Sequence, residues 1–329
     1  MFGSFQQQTV LVIGDVMLDE YIYGQVKRIS PEAPIPIVEM NSREYRPGGA
    51  SNVARNIAAL GGIPILSGIV GDDPQADILS QQLLESIAAQ NLRLIKAQGR
   101  PTTLKTRVVV HGQQMLRLDT EQTDPISPVL EDVLLATIQA MMPRVAACVL
   151  SDYAKGLLTQ TLCARIIELA RSLRVPIITD PKGRDFGKYV GATVLTPNVS
   201  EAALATGIPV ERHAPPNRMA GQLQQLLPGT ALLITRGDEG MSLYQPACPP
   251  LHIPAMSRAV YDVTGAGDTV VAVLALGLAC EMPMEETIRL ANLAAGEVVG
   301  KLGTSIISWE ELRRADSETA ICSELSILT

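Results

Sequence analysis

The sequence predicts an α/β fold, with a mostly parallel central sheet covered by helices on both faces and a small β lid. Three observations carry that prediction. Strand-like apolar runs alternate along the chain with helical patterns, as a parallel sheet buried on both faces requires. Two glycine-rich segments, one towards each end, each open a helix. Two further segments, residues 20–45 and 102–119, break the alternation and read as strands of a small separate sheet. A chain of 329 residues can bury one large α/β core with such an excursion, so residues 1–329 are read as a single domain.

In chain order, VLVIGDV (residues 10–16) reads as the first strand, and the proline-bearing first lid segment follows. In RPGGASNVARNIAALGG (residues 46–62), Gly48 and Gly49 open a helix, and Asn52 falls in its first turn with an amide facing the helix mouth. The second lid segment precedes four strands: CVLSDY (148–153), VPIITD (175–180), ATVLTPN (192–198) and ALLITRG (231–237). Ligands of open α/β sheets gather at the carboxyl ends of the strands, which brings Asp15, Asp152, Asp180, Asn198 and Arg236 to one edge. The second glycine motif, DVTGAGDTV (262–270), runs into an apolar stretch, residues 270–280, too short to span a bilayer and read as a buried helix. SWEEL (308–312) has the capping-box pattern of a closing helix.

The second motif carries the chemistry. A helix that starts at glycines leaves its first N–H groups unpaired and lets a ligand approach the backbone, which suits an oxyanion or a phosphate. Asp268 then sits beside a bound anion, where a carboxylate is costly as a binding group and sensible as a proton acceptor. Phosphoryl transfer to a hydroxyl needs that combination, with Gly265, Ala266 and Gly267 offering N–H groups to the transferring phosphoryl group. Other phosphate-binding schemes fail on spacing. GEVVGKL (296–302) is one residue short of a P-loop and lacks the Ser or Thr after its lysine, and Val270 stands where a G-x-G-x-x-G motif needs its third glycine.

Composition excludes several classes. A formal charge of −7 and a pI near 5.1 give no footprint for nucleic acid or an acidic membrane. Five scattered cysteines without a C-x-x-C pair read as free thiols of a reducing cytoplasm, and three scattered histidines form no metal set or dyad. The N-terminus lacks the basic and apolar regions of a signal peptide.

Together, GGASNVARNIAALGG and DVTGAGDTVVAVLAL resemble the two signatures of the ribokinase-type (PfkB) carbohydrate kinases, and the resemblance runs from the first strand to about Gly303. GDVMLDEYIYG (14–24), RISPEAPIPIV (28–38), GQQMLRLD (112–119), SDYAKGLL (151–158), DPKG (180–183) and LTPNVSE (195–201) resemble the branch acting on D-glycero-β-D-manno-heptose 7-phosphate. The resemblance implies a ribokinase-like fold and ATP-dependent phosphorylation at C1 to the 1,7-bisphosphate, on the way to ADP-heptose for lipopolysaccharide. It further implies ATP and Mg²⁺ as cofactors, allows a monovalent cation near Asp262, and points to a cytoplasmic homodimer paired through the lid. The sequence ends roughly 25 residues past the kinase-like region, less than the ~50 residues of a small domain, so a stand-alone kinase is expected.

Residue by residue, the resemblance makes Asp268 the base and gives Asn198 and Glu201 the magnesium and phosphate, largely through water. Thr235, Arg236, Gly237 and Gly240 fall along the nucleotide phosphates, and Asn292 and Gly303 on the adenosine side. Asp15, Asp19, Gly48, Gly49, Asn52 and Asp152 fall to the sugar. The sugar's existing phosphate needs cations, drawn from Lys105, Arg107, Arg117, Lys155, Lys182 and Arg184. Lys155 and Lys182 rank first because each closely follows a strand ending in aspartate. Two alternatives stay open: a kinase of ribose, a nucleoside or fructose 6-phosphate, and a noncatalytic sugar-binding regulator on the same fold.

Overall fold

The computed structural model describes residues 5–211, 213–256, 263–301 and 305–327. The chain opens with β1 (Thr9–Gly14), β2 (Val16–Ile29), β3 (Pro36–Gly49), α1 (Ala50–Ala59), β4 (Ile63–Gly71), α2 (Pro74–Leu84) and β5 (Leu92–Ala97). The middle holds β6 (Thr103–Val110), β7 (Gln113–Thr120), α3 (Pro128–Met141), β8 (Ala147–Ser151), α4 (Gln160–Ser172), β9 (Ile177–Asp180), β10 (Val194–Leu195) and α5 (Val199–Thr206). It closes with α6 (Asn217–Leu226), β11 (Ala231–Thr235), β12 (Met241–Tyr244), β13 (Leu251–Ile253), α7 (Ala266–Ala279), α8 (Met284–Val298) and α9 (Trp309–Ile327).

The main sheet has the order β13-β12-β11-β10-β9-β8-β1-β4-β5, parallel from β11 to β5, with β12 and β13 as an antiparallel extension. Its strands are buried on both faces, so alternate residues of β1 serve different cores. Val10 and Val12 pack towards α1, α2, α7, α8 and α9, while Leu11 and Ile13 pack towards α3, α4, α5 and α6. Helix α7 lies deepest, with every residue from Asp268 to Gly277 buried, which is why its sequence is apolar all round.

The expected first strand divides in two. β1 stops at Gly14 because Asp15 turns the chain out of the main sheet, and Val16 already begins the second sheet. That sheet has the order β3-β2-β6-β7, with β2 and β6 parallel and both outer pairs antiparallel. It starts earlier and ends later than the composition break suggested, because β2 and β3 leave and re-enter the core with buried ends. Directly opposed residues of adjacent strands share a face, which puts Asp19, Lys105 and Asp119 in one row and Tyr21, Arg107 and Arg117 in the next. The other face carries Leu104, Val108, Leu116 and Leu118, of which Leu116 and Leu118 remain 45% and 57% exposed. Among the described residues, no helix is long and apolar enough to cross a membrane.

Candidate active site

The site lies where the carboxyl edge of the main sheet meets the N-termini of α1 and α7. Ser151 pairs with Gly14 on one side and Asp180 on the other, so Asp15, Asp152 and Asp180 emerge side by side. Asp268, in the first turn of α7, is 4% exposed. Its Oδ2 accepts from Asn52 Nδ2 at 2.7 Å and its Oδ1 from the Tyr153 hydroxyl at 2.7 Å. Burial pushes the Asp268 carboxyl up to about 6, helped by the nearby charge of Asp19 and opposed by the Asn52 and Tyr153 donors. A second link, from the Thr269 hydroxyl to Asn56 Oδ1 at 3.2 Å, fixes α7 against α1 one turn from the amide.

Gly265 caps α7 at φ 86°, a left-handed conformation that glycine adopts without strain, and among the described residues this N-cap makes no side-chain capping hydrogen bond. In front of it is a cavity of about 160 Å³ bounded by Gly265, Gly267, Asp268, Asn198, Glu201, Thr235, Lys182, Asp180 and Asp152. A Cβ added at Gly267 would meet nothing within 4 Å, so the backbone there is open to a ligand. Asn198 and Glu201 form a reciprocal capping box on α5, with both hydrogen bonds at 2.9 Å, and Glu201 Oε1 pairs with Lys182 at 2.7 Å. No group of three or more His, Cys, Asp or Glu side chains that could hold a metal occurs among the described residues. Asn198 and Glu201 both line the cavity, and their oxygen atoms are of the kind that suits a magnesium ion keeping most of its water.

Of the residues expected along the nucleotide, Thr235 ends β11 at the cavity, whereas Arg236 turns into an ion pair with Glu239. Gly237 and Gly240 both have positive φ and shape the turn between β11 and β12. Asn292 is 6% exposed and donates to the Pro254 carbonyl at 2.9 Å, tying α8 to the segment after β13. Gly303 and Asp262 lie outside the described residues.

Of the residues expected at the sugar, Gly48 and Gly49 end β3 against Asp19 and Asp15. A Cβ on Gly48 would come within 2.4 Å of Asp19 Oδ2, and one on Gly49 within 2.4 Å of the Asp15 carbonyl. Asp19, 3% exposed, pairs with Arg107 at 2.5 Å, and the Arg46 and Arg107 guanidiniums flank the Tyr21 ring at 5.2 and 5.3 Å. Lys105 pairs with Asp119 and Glu121, each at 3.1 Å, and Lys155 with Glu121 at 2.7 Å, so Glu121 gathers two of the expected cations. Arg117 is half-exposed and spends its guanidinium on Asp119.

Three expectations change. Lys182 stands against Glu201 in the cavity before α7, away from the cluster of Lys105 and Lys155, because it follows β9, one place further along the sheet than the β8 strand that precedes Lys155. Asp152 lines the cavity but serves the fold: Oδ2 accepts from Lys188 Nζ at 2.5 Å and the Tyr189 hydroxyl at 2.6 Å, and Oδ1 from the Ala154 N–H at 2.7 Å. Asp15 Oδ2 accepts the backbone N–H groups of Tyr153 and Lys155 at 2.8 and 3.0 Å, and burial beside Asp152 pushes its carboxyl up to about 6. Sequence reasoning missed Tyr153, although it directly follows the strand-end aspartate in SDYAK.

Residues 7–311 match the pfkB family carbohydrate kinase profile. The chain belongs to the pfkB family of carbohydrate kinases. This kinase is 48% identical over 316 residues to the bifunctional protein HldE of Alcanivorax borkumensis and 47% identical over 313 residues to that of Yersinia enterocolitica. Each alignment covers 95% of the chain but 64% of the relative, so the chain spans about two-thirds of the length of the curated relatives it matches. Its fold is ribokinase-like. Arabidopsis thaliana ribokinase, solved with ribose and ATP, superposes with a TM-score of 0.73 at 18% identity, covering 94% of this chain and 98% of that one. Escherichia coli phosphofructokinase-2, solved with fructose-6-phosphate, gives 0.75 at 17% identity over 95% and 99%.

Proposed function

We propose that this kinase transfers the terminal phosphoryl group of ATP to the C1 hydroxyl of D-glycero-β-D-manno-heptose 7-phosphate, in the supply of ADP-heptose for lipopolysaccharide. The observation that carries the reading is a buried carboxylate, Asp268, placed at an uncapped helix mouth and already oriented by two donors. The C1 oxygen attacks the γ-phosphorus and loses its proton to Asp268, while the bond from the γ-phosphorus to the β–γ bridging oxygen breaks and ADP departs. N–H groups of residues 265–267 face the charge that develops on the transferring oxygens. Asn198 and Glu201 would hold magnesium through water, where the ion would neutralise phosphate charge, and Lys182 serves the same side. Arg236 reaches the nucleotide by exchanging Glu239 for phosphate oxygens.

The distal phosphate of the sugar is assigned to Lys105, Lys155 and Arg107, whose present partners are carboxylates that a phosphate dianion can replace. Binding there orients C1 towards Asp268. The same reading pairs two chains through the apolar outer face of the second sheet and places the enzyme in the cytoplasm. ADP release measured across heptose 7-phosphate, heptose, ribose and fructose 6-phosphate tests the substrate. Heptose 7-phosphate is expected to be turned over best, and equal activity on heptose would remove the assigned phosphate site.

A further inference from the structure

The base is held by a residue whose own position is fixed from beneath. The loop after β8 is wound through left-handed positions at Ala154, φ 55°, and Gly156, φ 82°. Asp15 Oδ2 holds the Tyr153 and Lys155 N–H groups, Asp152 Oδ1 holds that of Ala154, and the Lys155 carbonyl accepts from Arg100. Asp152 is in turn fixed by Lys188 and Tyr189. These contacts leave the Tyr153 backbone little freedom, and its hydroxyl meets Asp268 Oδ1 at 2.7 Å.

We propose that Tyr153 is a positioning residue for the transfer, its hydroxyl keeping the Asp268 carboxylate in the orientation that receives the substrate proton. The inference rests on the phosphoryl-transfer reading above. With Asn52 on Oδ2 and Tyr153 on Oδ1, the carboxylate cannot rotate without breaking a hydrogen bond, and each oxygen keeps a lone pair for the incoming proton. Tyr153 does not ionise in the step, because burial and the neighbouring carboxylates hold its hydroxyl well above the ordinary tyrosine range. The charged groups around Asp268 are Asp19 on β2 and Asp180 on β9, with Asp152, Lys182 and Glu201 lining the same cavity. None of them donates a hydrogen bond to Asp268 among the described residues, where its two side-chain donors are Tyr153 and Asn52.

The test is Tyr153→Phe, which keeps the ring and removes the donor. With ATP and heptose 7-phosphate, kcat is expected to fall about tenfold while KM for both substrates stays within about twofold, as for a group acting in the transition state. The acid limb of the pH–rate profile should move to higher pH, and ¹³C carboxyl NMR should show Asp268 titrating higher than in the parent protein. An unmoved Asp268 titration with unchanged kcat overturns the role, as does a loss of thermal stability alone. If Asp268→Asn is inactive while Tyr153→Phe matches the parent, the kinase reading stands and this inference falls. If the parent protein transfers nothing to any sugar, the reading falls, and the NMR comparison still decides whether Tyr153 holds Asp268.

Discussion

Asp268 is a carboxylate that the fold keeps at a cost. Its rise from the ordinary 3.8 to about 6 corresponds to about 3 kcal/mol. The folded-state value lies above the unfolded one, so the cost is absent below about pH 4, grows as pH rises between the two values, and is complete above about pH 6. Asp268→Asn should therefore melt above the parent protein at pH 8, with the two curves converging towards pH 4 in calorimetry. Its turnover should fall by about 10²–10⁴-fold. Turnover within a few-fold of the parent would remove Asp268 from the chemistry. In the parent, kcat/KM should decline below about pH 6 as the base takes up its proton.

At the scale of elements, α5 opens on a motif that has a structural reading and a proposed functional one. The N-x-x-E pattern was legible as a helix start and, by resemblance, as the magnesium element, and the capping box makes the first of these a geometric fact. Asn198→Ala should cost about 1 kcal/mol in chemical denaturation. Glu201→Gln keeps a capping oxygen and should leave stability nearly unchanged, while activity requires a higher magnesium concentration. An unchanged magnesium titration would remove Glu201 from the metal's surroundings. The strand-end aspartates were legible because parallel strands end at a common edge, and the helix mouths because glycines mark them. Tyr153 was not legible, since its role is a contact with a residue 115 positions away. The duties of Asp152 and Lys182 were hidden for the same reason: Lys188, Tyr189 and Glu201 become their partners only when strands and loops assemble. The division of the first strand at Asp15 was equally invisible, because Val10 to Val16 is continuous in composition while only Gly14 and Asp15 mark the exit from the sheet.

For the whole molecule, the two sheets divide the work. The main sheet supplies the edge at which Asp268, the α7 mouth, Asn198 and Glu201 converge, and the second sheet carries Lys105, Arg107 and Arg117 on one face. Its outer face exposes Leu116 and Leu118, and pairing through it should give a dimer in analytical ultracentrifugation that Leu118→Glu converts to a monomer. A parent protein that sediments as a monomer at assay concentration would contradict that arrangement. The central claim is the transfer of phosphate to an anomeric hydroxyl of a sugar that already carries one. Phosphorus NMR of the protein with ATP, magnesium and D-glycero-β-D-manno-heptose 7-phosphate tests it most directly. One new phosphomonoester signal coupled to the C1 proton is expected, growing with ADP while the 7-phosphate signal persists. A new phosphate on any other carbon, or ADP formed with no sugar bisphosphate, would contradict it.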